Sequence, residues 1–266
     1  MNHQISSSTK TAAPDSIFVA DIFSSYQGEG KFSGKPSLFL RLGICNLQCS
    51  WCDTPYTWKK GHTDYKKMST AEIIKQFKIL LKKPLPKIPR KKIFSLFSPS
   101  KKIQNLIITG GEPLLQQNSL IPFLQQFFKD NSFKDFTIEF ETNGSMPLLP
   151  AFTKTFKKEL QQDKISFNIS PKLKDSGNKT YKVHTYPNSV LKFVYVDKSS
   201  EKLILDFLKI QFSKKMSAPV TYIMPEGTSV KNMEEKQKDA LIFCFKNGFF
   251  YSPRLHIYLF GNKRAT

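Results

Sequence analysis

Seven short runs rich in β-branched and aromatic residues recur along the chain, at 17–23, 38–42, 105–109, 136–141, 165–169, 191–196 and 220–224. Stretches with apolar residues at helical spacing lie between most of them. Strands that alternate with helices must be joined by crossovers, which favours βαβ units and a parallel sheet in an α/β fold. The clearest helix starts at Ser69, where Ser69-Thr70-Ala71-Glu72 fits a capping box and Ile73, Ile74, Phe77, Leu80 and Leu81 share one face. Further helices are predicted over 120–129, 152–160, 201–212 and 230–246. With 39% hydrophobic residues and 24 Phe the chain can bury a large core, which excludes a disordered protein. No internal repeat or linker divides it, so residues 16–266 are expected to form one domain behind a flexible segment, 1–15.

The residues just after each strand are unusual. The strand ending at Leu42 runs into a cysteine loop, and the next runs into Gly110-Gly111-Glu112-Pro113. Thr142-Asn143-Gly144, Ser170-Pro171-Lys172 and Pro225-Glu226-Gly227 follow later strands. In parallel α/β folds the carboxyl ends of the strands share one rim, and that rim holds the active site. Five motifs distant in sequence are therefore expected to converge.

Charge is less specific. The net charge of +20 suits a polyanion partner, but residues 82–102 hold eight basic residues, no acidic ones and four prolines. That stretch reads as an insertion, because proline interrupts helix and strand. The remaining excess is scattered as isolated lysines, a solvated surface rather than a nucleic-acid site, and direct nucleic-acid binding is not expected. No apolar run reaches the roughly 18 residues of a membrane span, and residues 1–15 offer no apolar stretch for a secretory signal. A cytoplasmic location is expected.

Three of the four cysteines, Cys45, Cys49 and Cys52, fall within eight residues, whereas Cys244 sits in an apolar run and reads as core. Clustered thiols point to metal or redox chemistry rather than a disulfide scaffold. Cys45, Cys49, Cys52 and His62 could make a Cys₃His zinc site. Cys49 and Cys52 alone could form a redox dithiol, which leaves Cys45 idle. The third reading is an iron–sulfur cluster held by three thiolates, one iron staying open, since four cysteines are the usual complement.

The spacing C-x-x-x-C-x-x-C, with Trp51 before the last cysteine and Gly110-Gly111-Glu112-Pro113 after the next strand, resembles the radical S-adenosylmethionine superfamily. Glycines there let the backbone approach a ligand closely. Within that superfamily the chain resembles the 7-carboxy-7-deazaguanine synthase family over roughly residues 17–262. The resemblance is carried by Ser25-Tyr26-Gln27-Gly28-Glu29-Gly30, Phe39-Leu40-Arg41-Leu42-Gly43, Asp53-Thr54, Thr109 to Leu115, Glu141-Thr142-Asn143-Gly144, Ser170-Pro171-Lys172 and Arg254-Leu255-His256.

The resemblance implies a shortened, partial β/α barrel with parallel strands, usually homodimeric. It implies ring contraction of 6-carboxy-5,6,7,8-tetrahydropterin to 7-carboxy-7-deazaguanine with loss of ammonia, on the way to queuosine. The implied cofactors are a 4Fe-4S cluster, S-adenosyl-L-methionine and Mg²⁺, with an electron-donor protein such as flavodoxin as partner. Electron transfer cleaves the sulfonium to a deoxyadenosyl radical, so no catalytic side chain is expected beyond the cluster and its bound adenosylmethionine.

By the same resemblance Cys45, Cys49 and Cys52 hold the cluster and Thr54 offers its hydroxyl to Mg²⁺. Tyr26, Gln27, Gly28, Glu29, Arg41, Thr109 and His256 line the substrate pocket. Gly110, Gly111, Glu112, Ser170, Pro171 and Lys172 contact adenosylmethionine, with Ile223, Met224, Pro225 and Glu226 along its adenosine part. Chemically, Arg41 suits a carboxylate or carbonyl, and Glu29 suits an amidine-like edge. Plainer uses exist: Arg41 could snorkel, Thr54 could only turn the chain, and Glu141 could pair with a lysine. Trp51 and Trp58 could shield a cluster or merely pack, and His62 and His184 read as surface residues. The alternatives are a glycyl-radical activating enzyme, which acts on a protein, and a zinc-dependent RNA-binding module built on His62 and the +20 charge.

Overall fold

The computed structural model describes residues 16–83, 103–213 and 218–265. The expected N-terminal segment 1–15 lies outside them, as does all of the basic stretch 82–102 except Lys82 and Lys83. Among the described residues, nine strands form one sheet. These are β1 (Ser16–Tyr26), β2 (Pro36–Leu42), β3 (Lys66–Ser69), β4 (Asn105–Gly110), β5 (Thr137–Thr142), β6 (Ile165–Ile169), β7 (Ser189–Tyr195), β8 (Thr221–Pro225) and β9 (Phe250–Tyr251). The sheet order is β3-β1-β2-β4-β5-β6-β7-β8-β9, so β3 joins the edge beside β1, and from β4 onward each crossover adds the next strand at the opposite, growing edge. Every pairing from β2 to β9 is parallel. β3 and β9 end the sheet unjoined, which is a partial barrel.

One expectation needs correction. β1 runs antiparallel to both β2 and β3, because the short Gln27–Lys35 connection returns the chain directly and leaves no room for a crossover helix.

The connecting helices are α1 (Thr70–Leu81), α2 (Gln117–Lys129), α3 (Pro150–Thr155), α4 (Lys157–Gln161), α5 (Ser199–Phe212), α6 (Val230–Asn247) and α7 (Leu255–Phe260). The capping box of α1 is complete: the Glu72 amide donates to Ser69 Oγ, and Glu72 takes the Ser69 amide at 2.7 Å. The helix expected over 152–160 is two pieces, because Phe156 leaves helical geometry (φ −107°, ψ 27°) and is itself buried, against Phe152.

Alternation along the strands sorts residues between two faces. Leu38, Leu40 and Leu42 of β2, Leu106 and Ile108 of β4, Ile138 and Phe140 of β5 and Phe167 of β6 enter the main core beneath the helices. There Phe127 stacks on Phe133 with ring centroids 4.4 Å apart and meets Phe77 and Phe136 edge-on. On the opposite face Phe23, Phe39 and Ile107 form a small apolar cluster. Further inward positions are the polar Arg41, Thr109, Glu141, Asn168 and Lys192 and the apolar Val194 and Met224.

Candidate active site

Those inward side chains line a cavity of about 560 Å³ at the carboxyl ends of the strands, within the usual size of small-molecule sites. Cys45, Cys49, Cys52 and Thr54 form one wall, Tyr26, Gln27, Gly28 and Glu29 another. Gly110, Gly111, Ser170, Lys172, Met224, Glu226 and His256 also reach it, so motifs from five strand ends do meet.

The cysteine loop is braced by main-chain contacts. Ile44, a β-branched residue, sits at φ 69°, and its amide donates to the Thr57 carbonyl at 2.7 Å. The Glu112 amide donates to the Ile44 carbonyl at 2.9 Å. A Cβ on Gly111 would lie 2.0 Å from Ile44 O, and one on Gly110 2.2 Å from Leu42 O. These glycines therefore admit the cysteine loop itself, where the sequence suggested only room for a ligand.

All three thiols are free and half-buried. Burial pushes the Cys45 thiol up to about 12. It also raises Cys49, against the pull of nearby Lys172. Such thiols ionise when a positively charged metal centre arrives to take them. Asn178 Nδ2 donates to Cys49 Sγ at 3.2 Å and Trp58 Nε1 to Cys52 Sγ at 3.3 Å. Among the described residues no group of three or more His, Cys, Asp or Glu could hold a single metal ion. His62 is exposed and off the cavity, so the Cys₃His arrangement lacks its fourth ligand. Three free thiols on one loop suit an iron–sulfur cluster, whose usual ligands are cysteine thiolates.

Beyond the thiols lies a chain of paired charges. Glu29 receives Lys192 Nζ on one oxygen and Arg254 Nε, at 3.1 Å, on the other. Burial alone would raise the Glu29 carboxyl, but these two cations outweigh it and hold it far below the usual carboxylate range. Arg254 continues to Asp53 and, through Nη1, to the Gly227 carbonyl at 2.5 Å. The His256 ring stands beside Glu29, Nε2 at 3.9 Å from Oε1, in the space that Gly28 leaves by lacking a Cβ. Burial lowers the His256 imidazole, which favours its neutral form.

Glu141 accepts the Thr109 hydroxyl at 2.6 Å and Gln27 Nε2 at 3.1 Å. Its pairing is therefore with a hydroxyl and an amide, while Lys192 pairs with Glu29. Arg41 does not snorkel: its Nε is 3.3 Å from Asp21 and its guanidinium lies 5.7 Å from the Phe23 ring centre. Asp21 also takes the Tyr56 hydroxyl and Arg264 Nε, and the segment 262–265 closes one side of the cavity. Asn168 is fully buried on the cavity wall, and neither amide atom has a hydrogen-bond partner.

Four expected contacts fall elsewhere. Glu112 is fully buried and accepts the Leu114 and Asn143 amides and the Thr142 hydroxyl, so its carboxylate braces the β5 loop. Ile223 points into the main core by strand alternation, leaving Met224 at the cavity. Pro171 and Pro225 also lie off the wall. Glu226 lines it but is paired with Lys236. Lys172 Nζ donates to Ser170 Oγ at 2.8 Å and lies 5.1 Å from the Trp51 ring. His184 is half-buried, with its amide donating to the Gly144 carbonyl, and so is not simply a surface residue. Cys244 is buried in the core as expected.

Lys192, Asn168 and Glu139 belong to none of the motifs that the sequence offers, and Asp53 belongs to one without a role assigned to it. Lys192 carries a legible signal, a lone charged residue inside the apolar run of β7, while Asn168 and Glu139 share their strands with Ser166 and Glu141.

Residues 26–144 match a family described as a 4Fe-4S single cluster domain. A protein of Koribacter versatilis named 7-carboxy-7-deazaguanine synthase is 35% identical over 130 residues, which span 49% of this chain and 45% of that one. A protein of the same name from Pyrobaculum aerophilum is 26% identical over 260 residues, 96% of this chain and 99% of its own. The solved structure of QueE from Escherichia coli shares the fold, with a TM-score of 0.60, 18% identity and coverage of 89% of this chain and 93% of the other.

Proposed function

We propose that this chain, which belongs to the 7-carboxy-7-deazaguanine synthase family of radical S-adenosylmethionine enzymes, contracts the ring of 6-carboxy-5,6,7,8-tetrahydropterin to 7-carboxy-7-deazaguanine with loss of ammonia. The observation that carries this reading is the opening of three free thiols and a ring of paired charges onto one cavity of small-molecule size. A 4Fe-4S cluster with bound adenosylmethionine supplies one-electron sulfonium cleavage and hydrogen-atom abstraction. The protein's own residues hold, orient and shield.

In this reading Cys45, Cys49 and Cys52 hold the cluster, while Gly111, Ser170, Lys172 and Met224 flank the adenosylmethionine. The pterin lies toward Arg41, Thr109, Gln27 and Glu29. Glu29 stays ionised because Lys192 and Arg254 remain bound to it. Two carboxylate oxygens offer about four acceptor sites, so it can still take N–H groups from the pterin edge. Arg41 is aimed by Asp21 and presents its fork to a carboxylate or carbonyl. Asn168 supplies an amide that substrate can satisfy. Thr54 offers one oxygen to Mg²⁺, a hard ion that keeps several waters and would take the substrate carboxylate as another ligand. The segment 262–265 helps keep water from the radical.

The same proposal includes a flavodoxin-like one-electron donor, reached through the exposed Asn46, Gln48 and Ser50 of the cysteine loop. It includes a homodimer, which would cover the exposed Phe245 and Phe250 of α6 and β9. It places the chain in the cytoplasm, where reduced thiols persist, and treats residues 16–266 as one domain. No helix among the described residues is long and apolar enough to cross a membrane.

The test is anaerobic incubation of the iron-reconstituted protein with adenosylmethionine, a low-potential reductant and the carboxytetrahydropterin. Formation of 7-carboxy-7-deazaguanine is expected. Adenosylmethionine cleavage with no deazaguanine would reject this substrate and return the activating-enzyme reading.

A further inference from the structure

We propose that Trp58 and Asn178 are positioning residues that set how readily the iron–sulfur centre accepts its electron, by donating N–H hydrogen bonds to the sulfurs of Cys52 and Cys49. The distances are 3.3 Å from Trp58 Nε1 to Cys52 Sγ and 3.2 Å from Asn178 Nδ2 to Cys49 Sγ. The inference rests on the reading of Cys45, Cys49 and Cys52 as cluster ligands.

Neither donor is placed by chance packing. Trp58 closes the short 3-10 turn Pro55–Thr57, its amide donating to the Pro55 carbonyl at 3.1 Å, and this turns the indole back toward the loop it has just left. Asn178 arrives from the far side of the cavity, after the turn Lys174–Ser176 and the left-handed Gly177. The orientation of its amide is decided by its neighbours. Asn178 Oδ1 accepts the Gln48 amide at 3.1 Å, so the NH₂ end must be the one that faces the sulfur. The Ser50 amide, donating to the Ser176 carbonyl at 3.0 Å, ties the same two loops together.

Hydrogen bonds to ligand sulfurs are among the factors that set the reduction potential of iron–sulfur clusters. An N–H directed at a thiolate draws negative charge from it and favours the state that carries the extra electron. The effect is larger in a half-buried site than in water. A low-potential one-electron donor must reduce this centre before any sulfonium can be cleaved, so these two donors ease that reduction.

The test is an EPR-monitored redox titration of the reconstituted full chain, without adenosylmethionine or substrate, beside iron and sulfide analysis. Trp58→Phe keeps the aromatic packing and removes the N–H, and Asn178→Ala removes the other donor. Each is expected to load iron and sulfide like the parent and to lower the reduction equilibrium constant about tenfold, a shift of about 59 mV to more negative potential for one electron. Full loading with a less than twofold change in both variants would overturn the proposal. If Trp58→Phe fails to load, recovery in Trp58→His, which restores a ring N–H, still supports the donor role. Failure of both reassigns Trp58 to packing and overturns its part. A parent protein that takes up no iron and sulfide at all would instead remove the cluster reading beneath the inference.

Discussion

Glu139, 1% exposed on β5, is pushed up to about 8 by burial, with Glu141 adding repulsion that Lys192, Gln27 and Lys31 only partly offset. An unfolded chain would release the same proton near 4.5. Between those values the folded state holds a proton that the unfolded state has lost, so stability falls as pH rises from about 4.5 through about 8. Glu139→Gln should abolish that dependence. In urea unfolding, the variant is expected to gain about 2–4 kcal/mol relative to the parent between pH 5 and pH 8. Parallel profiles would mean that Glu139 ionises freely within the fold. This residue also illustrates what was legible. Arg41 and Thr109 were identified because recognisable motifs contain them, whereas Glu139, Asn168 and Lys192 obey the same alternation without a motif. What a sequence does not display is the partner: the ties from Glu29 to Arg254 and from Asp21 to Arg264 span more than two hundred residues.

At the scale of elements, the long periodic segments were the readable ones. The β6 bounds coincide with the expected run, and α1 announces itself through its cap. β3 and β9 were missed because four residues with a single buried Met68, and two residues with Phe250 exposed, carry no usable period. α7 is six residues long, too short for a hydrophobic stripe. The pairing of the Gly110-Gly111 turn with the cysteine loop belongs to this scale too, since it joins the ends of two adjacent strands. Gly111→Ala would place a Cβ 2.0 Å from the Ile44 carbonyl oxygen, against backbone that has little room to move. The variant should retain its far-UV circular dichroism yet bind less than half of the parent's iron after reconstitution. Unchanged iron content would show that the cysteine loop does not depend on this contact.

Across the whole molecule, a growing parallel sheet gives the helices one face and leaves the other free for chemistry. The convergence of strand-end motifs followed from that architecture and was predictable. The antiparallel β1, which brings Tyr26, Gln27 and Glu29 alongside Arg41, was not, because parallel and antiparallel strands share one alternation pattern. The basic stretch 82–102 lies outside the described residues apart from Lys82 and Lys83. Cys45, Cys49 and Cys52 are proposed to hold a cluster with one iron left open to adenosylmethionine. It is tested most directly by the EPR spectrum of the dithionite-reduced, reconstituted protein before and after adenosylmethionine is added. A cluster signal that changes on addition in the parent, and is missing together with its iron in Cys49→Ala, is expected. A signal indifferent to adenosylmethionine, or zinc in place of iron, would rule out an open iron that binds adenosylmethionine.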